Sequence, residues 1–67
     1  MDEDVAELIA VICTRAGMMM EDASLLAVTM PRANPAAARV AIGDLAQRIE
    51  ACRRLIAAAA ALQAVEE

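Results

Sequence analysis

Apolar residues recur along the first half of the chain at Val5, Ile9, Ile12, Ala16, Met19, Ala23, Leu26 and Met30, in steps that alternate between four and three. With 3.6 residues per turn, that rhythm draws one stripe along a helix. A second stripe, Ala38, Ile42, Leu45, Ile49, Cys52, Ile56 and Ala59, repeats the alternation in the second half. Seams of this kind are the heptad signature of helices that pack along their length. Between them stands MPRANP, residues 30–35, where Asn34 before Pro35 supplies an N-cap and a first-turn residue. The pattern predicts helix A over about 4–29, a turn over about 30–34 and helix B over about 35–65, within one small helical domain covering 1–67.

Gly17 offers a different parse. It could end one helix and let Glu21 or Asp22 begin another, which gives a compact three-helix bundle with a break near Gly17. The stripe passes through the glycine in phase, and a break has no reason to preserve phase. A continuous helix A is therefore the preferred reading, with Gly17 tolerated at about 1 kcal/mol and Asp4 and Glu7 read as a capping box. The expected fold is all-α: an antiparallel helical hairpin with heptad-like packing, completed by dimerisation or by a partner. Folding about the turn should pair residues whose numbers total about 65. Ile9 then meets Ile56, Ala16 meets Ile49, Ala23 meets Ile42, and Cys13 lies level with Cys52.

Helix A carries more apolar surface than one neighbour covers. Val11, Met18 and Leu25 recur every seven residues away from the main seam, with Leu8 adjacent, and a helix apolar on two sides sits between two neighbours. Ala10, Gly17 and Ser24 form a parallel track of small residues where another helix can approach closely. These seven residues are the candidate interface. Five consecutive alanines, Ala57 to Ala61, present a thin wall near the open end of the hairpin, beside Val5, Leu8 and Ile9 in this register.

Composition narrows the function. The chain has 67 residues, eighteen of them alanine, and no Phe, Tyr or Trp, so its core is small. Net charge is −4 and all six basic residues are arginine, with no run longer than Arg53–Arg54, which supports a nucleic-acid surface poorly. The uncharged stretch from Leu55 to Val65 is far shorter than the roughly 20 residues a membrane span needs. The opening MDEDV is acidic where an export signal is basic, so a cytoplasmic location is expected. Richness in Ala and Arg without Lys points to a high-GC bacterial coding sequence.

Histidine, lysine and tyrosine are absent, which removes the commonest general bases and the Schiff-base amine. Two cysteines without histidine do not complete a structural zinc site, and reduced thiols are the expectation. No catalytic residue, cofactor or metal is expected. The sequence thus reads as a small protein–protein interaction, assembly or adaptor module whose partner is itself, as a homodimer or higher oligomer, or another helical protein. Two alternatives stand: a helix-turn-helix-like DNA-binding regulator using Arg48, Arg53 and Arg54, or an accessory subunit of a catalytic partner. The acids Asp2, Glu3, Asp4, Glu7, Glu66 and Glu67 gather at the open end, with Arg32 and Arg39 at the turn, which favours antiparallel association.

Overall fold

The carboxylate of Asp2 accepts the backbone N–H of Asp4 at 2.8 Å, and its carbonyl accepts that of Ala6 at 2.9 Å. Asp2 is therefore the N-cap, two residues ahead of the Asp4 that the sequence suggested, and Glu3 and Asp4 follow in the first turn where the helix dipole favours acids. The helix so opened, α1, runs over Glu3–Val28 without interruption at Gly17. At its end the Thr29 backbone N–H and hydroxyl both donate to the Leu25 carbonyl, at 3.0 and 2.8 Å. The second helix, α2, covers Pro35–Glu66. Its cap is Asn34, whose Oδ1 accepts from the N–H groups of Ala36 and Ala37 at 3.1 and 3.2 Å. This computed structural model describes residues 2–30, 32 and 34–66. Pro31 and Ala33 of the MPRANP punctuation, and Glu67 of the acidic end, lie outside the described residues.

The two helices pack along each other as a hairpin, and the three-helix alternative is set aside because α1 is a single helix. The molecule measures 51 × 15 × 11 Å, as long as α2 and two helices wide. On α1 the seam lies where the periodicity put it: Ala16 is fully buried, and Val5, Ile9, Ile12, Met19, Ala23, Leu26 and Met30 are half-buried.

On α2 the contact line differs from the expected one. Ala38, Leu45, Cys52 and Ala59 face inward as expected, but they are joined there by Ala41 and Leu55 between them and Leu62 beyond, not by Ile42, Ile49 and Ile56. A shift of one residue is a rotation of about 100°. The three isoleucines therefore stand out on the flank, 55%, 56% and 42% exposed. Alanines at the contact explain the choice. Ala16, Ala41 and Ala59 are the buried apolar residues of the described chain, and small side chains let two backbones approach. The approach is close enough for the Cys52 thiol to reach the Ala16 carbonyl at 3.6 Å.

That contact also corrects the register. Residues 16 and 52 face each other, so facing numbers total about 68, three more than expected and about 4.5 Å along the axis. The connection does not close symmetrically over the helix ends: with α1 ending at Val28 and α2 beginning at Pro35, a symmetric turn would make facing numbers total about 63. A total near 68 means that the first turn of α2 overhangs the end of α1. Cys13 and Cys52 are not level, and both are free thiols.

Candidate interaction surfaces

One broad side of the hairpin holds a continuous apolar groove. Its larger part, about 580 Å³, is lined by Met19, Met20 and Ala23 of α1 and by Ile49, Cys52 and Ile56 of α2, with Ala57 and Ala60 along its edge. A second hollow of about 340 Å³ continues it toward the open end, between Ile9 and Cys13 on one helix and Ile56, Ala59 and Gln63 on the other. Ile56 and Ala60 belong to both. The sequence reading missed this surface because it placed the isoleucines inside. The signal was present: a second thread through Ala41, Leu45, Cys52, Leu55, Ala59 and Leu62 alternates threes and fours once Arg48 is allowed between Leu45 and Cys52.

Charges at the rim of the groove are paired within the chain. The Arg48 Nε donates to Asp44 at 3.3 Å. Arg53 grips Glu50 through two nitrogens, at 2.8 and 3.1 Å, and Arg54 adds a longer contact of 3.4 Å to the same carboxylate. The hydrogen bond from Arg53 holds the Glu50 carboxyl below the ordinary glutamate range, with Arg54 contributing. The same bond raises Arg53. The three arginines that a DNA-binding reading would use are thus each engaged by an acid on α2.

The predicted interface residues divide between two sides of α1. Leu8, Val11, Met18 and Leu25 are all exposed, between 47% and 65%. Val11 and Met18 share a shallow hollow of about 320 Å³ with Ala10, Glu7, Thr14 and Arg15 on the outer back of the helix, and Leu8 and Leu25 extend that stripe beyond it. Gly17 and Ser24 turn instead toward the side of Met20 and Cys13, because they lie within about 60° of those residues around the helix. Gly17 is half-buried, and a Cβ built on it meets no atom within 4 Å, so the close-approach track is unoccupied in the single hairpin.

Among the described residues no three His, Cys, Asp or Glu side chains come together as a metal site requires. No helix among them is long and apolar enough to cross a membrane. The chain matches no known protein family, no curated protein and no solved structure.

Proposed function

We propose that this chain is a helical protein–protein interaction module, an assembly or adaptor element without catalytic chemistry of its own. The observation that carries this reading is that no large side chain among the described residues is fully buried, while eleven large apolar residues are exposed. The accessible surface is 5088 Å², whereas a compact monomer of 7.0 kDa exposes about 4,000 Å². A chain that leaves about 1,000 Å² beyond that expectation, with Ile, Leu, Val and Met among its exposed side chains, gains by packing against another surface. The stripe of Val11, Met18 and Leu25, with Leu8 beside it, is the part of α1 suited to a partner helix. Ala10 belongs to that stripe's hollow, whereas Gly17 and Ser24 offer close approach on the side of Met20. The partner is a second copy or another helical protein, and the apolar character of these surfaces argues against nucleic acid.

Thermal unfolding followed by circular dichroism over a wide range of protein concentration, with binding of an apolar-surface dye in parallel, tests the reading. Association couples folding to concentration by mass action. The expected result is a midpoint that climbs with concentration, or a labile monomer that binds the dye. A dye-silent monomer with a concentration-independent midpoint overturns the proposal.

A further inference from the structure

Ile42, Ile49 and Ile56 stand on one flank of α2, each about half exposed. Seven residues make nearly two turns, so they form a straight row with steps of about 10.5 Å. Resting on the interaction-module reading, we infer that this face binds a second copy of the chain, antiparallel about a twofold axis through Ile49, and that two hairpins close into a four-helix bundle.

A twofold interface has to match itself after a half-turn. The isoleucine row does so, being evenly spaced about Ile49: the half-turn sets Ile49 on its counterpart and Ile42 on Ile56 of the second copy. Ile49 and Met20 line the same groove, so Met20 also falls near the axis, and its flexible thioether suits contact with its own counterpart. Beside Met20, Gly17 and Ser24 carry little or no side chain, which admits the second α1. Arg48 and Arg53, the arginines that line the groove, are each paired with an acid of their own helix, Asp44 and Glu50, which lowers the repulsion an identical copy would meet there.

The ends of the hairpin favour the antiparallel sense. Glu3, Asp4 and Glu7 lie at the open end and Arg32 and Arg39 at the turn end, and a parallel pair would stack acid on acid. The Val11, Met18 and Leu25 stripe then remains on the outside of the bundle, available to a different protein.

Sedimentation equilibrium of the whole chain, beside Ile49→Glu and Met18→Glu, tests this, with the dye measurement repeated on each. The wild type should sediment at twice its 7.0 kDa. Ile49→Glu should weaken the dimer about 100-fold or more by setting two carboxylates together in an apolar contact, and Met18→Glu should leave it intact. Because Ile49 is half exposed in the single hairpin, the substitution removes little packing within it, and far-UV circular dichroism at the same concentration checks that the variant is helical. A second variant removes dependence on that point: with Cys13→Ser and Cys52→Ala in place, Ile49→Cys should crosslink two chains on mild oxidation, whereas Met18→Cys should not. A dimer dissociated by Met18→Glu but not by Ile49→Glu overturns the inference, as does absence of the Ile49→Cys crosslink. A dye-binding monomer overturns self-docking and leaves the module reading standing, whereas a dye-silent, concentration-independent monomer overturns both.

Discussion

Replacing Gly17 and Gly43 by alanine separates the stability of the hairpin from the proposed assembly. Neither glycine has a positive φ, and a Cβ at either meets nothing within 4 Å. Alanine therefore adds its helix preference with no steric offset, about 1 kcal/mol at each position. In a domain of this size that raises Tm by about 4–8 °C. In the Ile49→Glu background, where the chain is expected to be a monomer, urea unfolding should show similar gains for both, with the slope unchanged. In the wild-type background the two should part. Gly43 is exposed on the back of α2 and its variant should keep the full gain. Gly17 belongs to the small-residue track beside Met20, so its added methyl stands where the second α1 approaches, and dimer affinity should fall even as the monomer strengthens. Loss of monomer stability in Gly17→Ala would refute a regular α1 at that point. Equal gains in both backgrounds would remove Gly17 from the interface.

Asn34→Ala deletes the acceptor for two N–H groups and should cost about 1 kcal/mol, read as a lower unfolding midpoint, while Asn34→Asp restores most of it. Ala59→Leu overfills the helix contact, where Ala59 is 6% exposed, and should cost about 1–3 kcal/mol; Ala60→Leu, on the exposed groove edge, should leave the monomer's midpoint nearly unchanged. Because the Glu50 pKa is lowered by the Arg53 hydrogen bond, its stabilisation is present above the unfolded-state pKa and disappears as pH falls through the lower folded-state value. An NMR titration of the Glu50 carboxyl should show its pKa rise toward the ordinary range in Arg53→Ala. Cys13 is exposed and Cys52 half-buried against Ala16, so a thiol reagent should label Cys13 first in the Ile49→Glu chain, and mild oxidation should give no disulfide within one chain.

How far the fold could be read depended on which residues carried the pattern. On α1 the seam keeps an unbroken alternation of fours and threes from Val5 to Met30, and Gly17 lies off it, so the seam was legible to the residue. The Asn34–Pro35 pair marked the start of α2 because capping is local chemistry, independent of tertiary context. Register was not legible, because it depends on how far the connection carries the chain beyond α1. On α2 two threads share Ala38, Leu45, Cys52 and Ala59 and differ by one residue between them. A binary pattern rejects the observed thread for containing Arg48, yet the long arginine side chain reaches sideways to Asp44 from that place. The isoleucine groove was lost with that choice, whereas the exposed stripe of α1 needed only the helical repeat.

The run Ala57–Ala61 shows why alanine defeats such patterns. Ala59 is buried at the helix contact, Ala57 and Ala60 edge the groove, and Ala58 and Ala61 are exposed. Alanine favours a helix whichever way it faces, so its position reports propensity and not burial. The consequence for this fold is an inversion of the usual order: alanines occupy the tightest contact, while isoleucine, methionine and valine stand half exposed around it. Close backbone approach gains dispersion contacts, but each alanine removes little apolar area from water. A monomer selected for stability alone would bury its isoleucines. Keeping Ile42, Ile49 and Ile56 outward makes physical sense if their burial occurs in a second step, against another hairpin.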